Sequence, residues 1–272
     1  MEVRVAATER VLLVDVGNRV ATVTLNRPAA RNALSMELMQ ALWDATAAAG
    51  EDPDVDAVVV TGADPAFCAG VDLKEMAGEV PPSAAPRAAG EGPGRDANGL
   101  FRFLPVIEKP IIGAINGVAV TGGLEMALQC TFLVASERAT FADTHARVGV
   151  MPGGGMTVLL AQSIGLRRAL EMSLTGNFVP AEEALELGLV NHVVPHAELL
   201  PFARRLARDI VGNDQRGVRR LLRHYRQVAN AATLDEAHLI EGYLAETWQV
   251  DRDEVGTRRA EVTERGRSQR GR

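Results

Sequence analysis

The run Ala57-Val58-Val59-Val60, closed by Thr61-Gly62, has no polar face. A strand with one wet face alternates apolar and polar residues; a continuous apolar run reads as a strand buried on both faces. The chain ahead of it fits that demand. Residues 11–16 and 20–25 are short β-rich runs around Gly17-Asn18-Arg19, the composition of a hairpin turn. From Ser35 the period changes. Met36, Met39, Trp43 and Ala47 recur at helical spacing, with Ser35 as N-cap and Gly50 as stop, which predicts about four turns. Strand, helix and strand in that order imply a right-handed crossover.

The rhythm continues to about Phe141: residues 111–115 predict another buried strand, Asn116-Gly117 a turn, 122–130 a helix and 131–136 a strand. Between these blocks, residues 77–99 are rich in glycine and proline and read as a mobile loop, followed by a short helix over 100–108. Beyond Gly149 the pattern is helical: 156–164, 167–175, 181–187, 198–210, 218–228 and 234–251, with Gly176 and Gly188 at helix stops. Arginines 258, 259, 265, 267, 270 and 272 mark a basic end that reads as a frayed tail. At 272 residues the length prior is about 1.8 domains. The expected division is an α/β core over 1–195 and a helical region over 196–272.

Charge and cysteine content narrow the function. With 29 basic against 35 acidic residues, net −6, no general field attracts nucleic acid or an anionic membrane, so an anionic ligand is held locally. Cys68 and Cys130 are too few for a disulfide framework and lack zinc-ligand spacing, which makes a reducing cytoplasm the expected compartment. His192 and His196 are four apart, but Pro195 breaks the helical face that a metal would need. No metal site is expected. Residues 1–16 carry Glu2, Arg4, Glu9, Arg10 and Asp15 and do not read as a signal peptide. The most apolar stretch, 110–135, is interrupted by Asn116, Thr121, Glu125 and Gln129, so no membrane span is expected.

Two glycine-containing turns follow strands: Ala66-Phe67-Cys68-Ala69-Gly70-Val71-Asp72-Leu73, and Asn116-Gly117 through Gly122-Gly123-Leu124-Glu125. In each, a strand runs into a helix N-terminus whose free N–H groups can face an anion or a developing oxyanion. The other reading is that the glycines only permit sharp turns and close packing. Neither turn has the spacing of a P-loop or a dinucleotide fingerprint.

These residues resemble the crotonase superfamily, the enoyl-CoA hydratases and isomerases. Phe67-Cys68-Ala69-Gly70-Val71-Asp72-Leu73 is similar to its first signature, and Lys109 through Gly117 with Gly122-Gly123-Leu124-Glu125 to its second. Gly149 through Gly155, Leu174-Thr175-Gly176 and the stretch 184–194 add to the resemblance. It implies a spiral of ββα units with a helical C-terminal trimerisation region, and a homotrimer or dimer of trimers. It further implies an acyl-CoA thioester as substrate, no separate cofactor, and an oxyanion hole from the N–H groups of Val71 and Gly122. Coenzyme and substrate contacts would come from Ala69, Val71, Asp72, Leu73, Lys74 and Gly123. Glu125 aligns with the first catalytic glutamate. On spacing alone it falls near the third residue of a helix, where a carboxylate caps the N-terminus.

One departure matters. Where hydratases carry a second glutamate, the chain reads Phe141-Ala142-Asp143-Thr144-His145, with His145 at the glutamate's position. His145 can shuttle a proton near neutral pH, with Asp143 orienting it or acting itself, or it can be a packed residue lining a changed pocket. Three readings follow from the resemblance: hydration of 2-enoyl-CoA, double-bond isomerisation by Glu125 alone, or an acyl-CoA binding protein impaired in catalysis.

Overall fold

The computed structural model describes residues 10–85, 92–95 and 101–270. β1 (Leu12–Gly17) and β2 (Val20–Leu25) form the antiparallel hairpin, and both turn residues, Asn18 and Arg19, hold left-handed φ of 53° and 60°. Two-residue hairpin turns of the primed type require such angles. α1 (Met36–Glu51) starts at its expected cap, where the Leu38 N–H donates to the Ser35 hydroxyl at 3.2 Å. Leu38, Met39, Leu42, Thr46 and Ala49 form its buried face. The helix does not stop at Gly50. A Cβ there would lie 2.6 Å from Ile107 Cγ2, so the glycine makes room for packing, and the buried Lys109 ammonium closes the helix by donating to the carbonyls of Ala49 (2.8 Å) and Asp52 (2.6 Å).

A strand–strand–helix unit then occurs three times. β3 (Ala57–Gly62), β4 (Ala66–Cys68) and α2 (Leu73–Met76) form the first. A short antiparallel pair, β5 (Gly94–Arg95) and β6 (Phe101–Arg102), precedes β7 (Ile111–Ile115), β8 (Val118–Val120) and α3 (Gly122–Leu128). The third unit is β9 (Phe132–Ser136), β10 (Thr140–Ala142) and α4 (His145–Val148). A π-helical turn over Met156–Leu160 leads into α5 (Ala161–Ile164), α6 (Leu166–Thr175), β11 (Val179–Pro180), α7 (Ala181–Leu187), β12 (His192–Val194) and α8 (Leu199–Val211). α9 (Gln215–Val228), α10 (Leu234–Glu246) and α11 (Arg252–Arg270) follow. The first strand of each unit joins a six-stranded sheet, β1-β2-β3-β7-β9-β12, and the second joins a four-stranded sheet, β11-β10-β8-β4. This is the ββα spiral that the family resemblance implies.

Period-two side-chain alternation explains why β3 is apolar throughout. Val58 and Val60 join the main core with Phe67, Leu124 and Phe141, whereas Ala57 and Val59 pack against Leu199, Ala203 and Ala207 of α8. Fully burying a valine or leucine contributes roughly 1.5–3 kcal/mol. The chain divides into two compact units, Met1–Arg219 and Arg220–Arg272, so the first extends past residue 195, the boundary expected from composition, to include α8.

Three local expectations are corrected. Residues 101–108 form no helix, because Pro105 interrupts them and the Phe103 and Leu104 N–H groups bond to Gln129 Oε1 instead of to a preceding turn. The helix from Leu234 ends at Glu246. The basic end is helix α11 rather than a frayed tail, with Arg258 and Glu254 paired at 3.4 Å in i,i+4 spacing. Residues 86–91 and 96–99 of the expected loop lie outside the described residues. Among the described residues no helix is long and apolar enough to cross a membrane.

Candidate active site

β4, β8 and β10 lie side by side and run parallel, so their carboxyl ends open along one edge, where parallel sheets place ligands. Three chain exits meet there. Cys68-Ala69-Gly70-Val71 leaves β4, Thr121-Gly122 leaves β8, and Asp143-Thr144-His145 leaves β10.

The first two exits touch through glycine. Gly70 holds φ of +89°, and a Cβ on it would collide with the Thr121 hydroxyl and crowd the Val120 carbonyl. A Cβ on Gly122 would lie 3.3 Å from the Val71 nitrogen, so the Val71 and Gly122 amides are neighbours. Neither N–H has an acceptor among the described residues. Thr121 takes φ of +47°, a strained angle for a β-branched residue, at the turn that makes Gly122 the first residue of α3.

Glu125 is 3% exposed and its carboxylate does not cap α3. Thr121 is the N-cap residue and Glu125 the fourth residue of the helix; its Oε1 accepts from the Gly154 N–H at 2.7 Å and the Met156 N–H at 3.3 Å. The capping reading is thereby corrected. A Cβ on Gly154 would fall 3.0 Å from Glu125 Cδ and Oε2, so only glycine lets the loop approach this closely. Oε2 faces His145 Nε2 at 3.7 Å. On its other side, His145 Nδ1 lies 2.6 Å from Asp143 Oδ1, which also accepts the His145 backbone N–H at 3.1 Å. An ionised carboxylate only accepts, so Nδ1 carries the proton and Nε2 is left facing Glu125.

The two carboxyls are driven apart. Burial raises Glu125 above the ordinary carboxylate range, and the Gly154 N–H, the His145 ring and the Met156 N–H only partly offset it. Burial also pushes Asp143 upward, but hydrogen bonds from the His145 ring, the Ser173 hydroxyl and the His145 N–H outweigh it and hold the group below its usual value.

A cavity of about 250 Å³ opens onto these groups. Phe101, Phe103, Met76, Val148 and Val150 give it apolar walls around Glu125, His145, Thr121 and Thr144. Of the residues expected from the sequence, Ala69, Val71, Leu73, Gly122, Glu125 and His145 line it. Asp143 stands behind His145. Asp72 caps α2 by accepting the Lys74 N–H at 3.2 Å and pairs with Arg27 at 3.0 Å; Lys74 is exposed; Gly123 packs against the Cys68 carbonyl. No cluster of three or more His, Cys, Asp or Glu fit to hold a metal occurs among the described residues. Sequence reasoning missed the backbone donors of Gly154 and Met156, the Ser173 hydroxyl, and Phe101 and Phe103. Only the Gly153-Gly154-Gly155 triplet carried a visible signal for any of them.

Comparison with known proteins finds relatives over most of the chain. A family model described as Enoyl-CoA hydratase/isomerase matches residues 15–263. The chain is 41% identical over 197 residues to a probable mitochondrial enoyl-CoA hydratase of Dictyostelium discoideum, covering 72% of this chain and 68% of that one. It is similar to the crystal structure of an enoyl-CoA hydratase from Mycobacterium tuberculosis H37Rv, with 48% identity and a TM-score of 0.71 over 87% of this chain and 98% of that one. A monofunctional enoyl CoA isomerase from M. smegmatis is similar at 29% identity and a TM-score of 0.68, over 84% and 98% of the two chains.

Proposed function

The chain belongs to the enoyl-CoA hydratase/isomerase family, and from that premise we propose that it adds water reversibly to the double bond of 2-enoyl-CoA thioesters. The thioester oxygen takes the N–H groups of Val71 and Gly122, which stabilise the enolate formed when water oxygen bonds to the β-carbon. Removing one such donor typically costs about 2.7–4 kcal/mol. The observation that carries the reading is the pair of titratable groups beside those amides, Glu125 Oε2 and His145 Nε2 at 3.7 Å. One member takes a proton from the attacking water and the other gives a proton to the α-carbon. Asp143 holds the imidazole in the tautomer this needs. The Asp143–His145 couple thus stands where a second glutamate acts in hydratases.

No separate cofactor enters this reaction, because coenzyme A arrives as part of the substrate. Its phosphates call for local donors, and the exposed Lys74 ammonium, next in the chain to the cavity-lining Leu73, is a candidate. Ala69 and Gly123 complete the two turns that would receive the thioester. A homotrimer or dimer of trimers is supported by α6, where Leu166, Leu170 and Leu174 are 65%, 46% and 74% exposed at i, i+4 and i+8. A stripe of that kind is stable when another surface covers it. A cytoplasmic location is supported by Cys68 and Cys130, which are free thiols, as a reducing compartment keeps them. Neither nucleic acid nor membrane enters the proposal.

Purified protein incubated separately with 2-enoyl-CoA and 3-enoyl-CoA tests the reaction. Conversion of the 2-enoyl thioester to a 3-hydroxyacyl product is expected. Conversion of 3-enoyl to 2-enoyl thioester without water addition would replace hydration by isomerisation, and binding without turnover of either would leave a non-catalytic acyl-CoA binder. Light scattering that finds a monomer at micromolar concentration would refute the oligomer.

A further inference from the structure

Gln129, the residue that ends α3, spends its whole side chain on one junction. Its Oε1 accepts from the N–H groups of Phe103 (3.0 Å) and Leu104 (3.2 Å), and its Nε2 donates to the carbonyls of Phe101 (3.1 Å) and Gly154 (2.9 Å). Two acceptor sites and two N–H groups are all that a carboxamide offers. The Phe101 N–H adds a bond to the Gly153 carbonyl at 3.2 Å. The segment from Phe101 to Leu104 is therefore fastened to the glycine loop whose Gly154 N–H holds Glu125. Glu125 and Gln129 are four residues apart along one helix, so a single face of α3 carries both the reacting carboxylate and the clamp.

What the clamp holds is an aromatic wall. Phe101 and Phe103 meet edge to face, with ring centroids 5.1 Å apart, and Phe103 is 2% exposed. Its ring edge reaches both neighbours of the reaction: a Cβ on Gly122 would lie 3.3 Å from Phe103 Cζ, and a Cβ on Gly154 would lie 2.8 Å from Phe103 Cε2. Phe103 thus fills the space between the amide assigned to the thioester oxygen and the loop that supports the carboxylate.

We propose that this wall, with Phe103 at its centre and Gln129 as its fastening, closes the acyl end of the cavity and restricts the enzyme to short, uncharged 2-enoyl thioesters. The proposal rests on the hydration reading above. Three observations carry it. The cavity, about 250 Å³, falls below the roughly 300–1,000 Å³ of pockets for drug-sized ligands, and the thioester and reacting carbons take part of it. A wall tied through four side-chain hydrogen bonds and packed on both neighbours does not swing aside without breaking them. Among the described residues that line the cavity, the one basic side chain that could meet a charged acyl end is His145, and Asp143 already engages it.

The test is the ratio of kcat/KM for eight-carbon over four-carbon 2-enoyl-CoA, measured within one preparation so that the folded fraction cancels. Wild type is expected to favour the four-carbon substrate by about tenfold or more, since a single methylene in a shaped pocket discriminates by about 10–200-fold. Phe103→Ala raises the ratio at least about tenfold, and the milder Phe103→Leu moves it in the same direction. Gln129→Leu also raises it, an effect that a purely structural role would not produce because lost folding lowers both activities alike. Equal turnover of both lengths by wild type, or a ratio unchanged in Phe103→Ala, overturns the wall while leaving hydration in place. Efficient turnover of a 2-enoyl thioester bearing a terminal carboxylate overturns its restriction to uncharged chains. Hydration of no thioester of any length overturns the reaction itself.

Discussion

Glu125, on the α3 arm, lines the cavity and Asp143, on the β10 arm, stands behind His145; both are almost fully buried, at 3% and 2% exposure, yet they are pushed in opposite directions. On the α3 arm Glu125 meets two backbone donors from the returning glycine loop and the turn after it, of which only the Gly154 N–H is short, and its Oε2 faces the cavity. The β10 arm surrounds Asp143 with a ring N–H at 2.6 Å, a backbone N–H and a hydroxyl. Burial is common to both, so the donors decide. A desolvated carboxyl with few donors is held ready to gain a proton; one with many stays charged and orients its neighbour.

The largest effect that sharpens this contrast is expected from Glu125→Gln. It keeps the shape of the α3 arm and removes its proton, so kcat/KM for 2-enoyl-CoA should fall about 10²–10⁴-fold. A loss smaller than tenfold would show that the arm is not the reacting one. Gly154→Ala comes next. Its Cβ would fall 3.0 Å from the Glu125 carboxylate and displace it, and a misplacement of about 1 Å can cost roughly 10²-fold. An unchanged circular dichroism spectrum separates this from unfolding.

Asp143→Asn should cost less, about tenfold to a hundredfold, the worth of one hydrogen bond to a charged group. Its signature is a changed pH profile of kcat/KM, because asparagine can present an N–H to Nδ1 and move the ring proton to Nε2. A profile identical to wild type would break the orienting role.

The smallest effects, on the order of 1 kcal/mol, are in stability and have opposite signs. Ionising Glu125 costs the native state as pH rises from its unfolded value of about 4.3 through its raised folded value. Glu125→Gln is therefore expected to gain on wild type most at neutral pH and least in acid. Asp143, held low, stabilises above its unfolded value of about 3.9, and that contribution is lost as pH falls through the folded value. Asp143→Asn should lose most at neutral pH. Denaturant unfolding at neutral and acid pH reads both; shifts of the same sign would break the comparison.

Much of the fold was legible because its signals are local. The all-apolar run at 57–60, the hairpin turn at Asn18-Arg19 and the Ser35 cap each depend on neighbours within a few residues. Resemblance to a family located Val71, Gly122, Glu125, Asp143 and His145, all near the exits of β4, β8 and β10. Where partners come from afar, the reading failed. Residues 101–108 look helical until Gln129 takes their N–H groups, and Gly50 looks like a stop until Ile107 packs on it.

The sequence by itself therefore determined most of the strands and helices and the α/β class, since period and turn composition are written along the chain, and its motifs carried the resemblance that proposes five positions for the chemistry. Only the tertiary structure decided what those positions do to one another. Residues 71, 122, 125, 143, 145 and 154 meet because β4, β8 and β10 pair in parallel and the glycine loop returns across their ends. Whether a carboxyl is a proton carrier or an anchor is set by how many donors that meeting brings to it, and that number has no counterpart in local sequence.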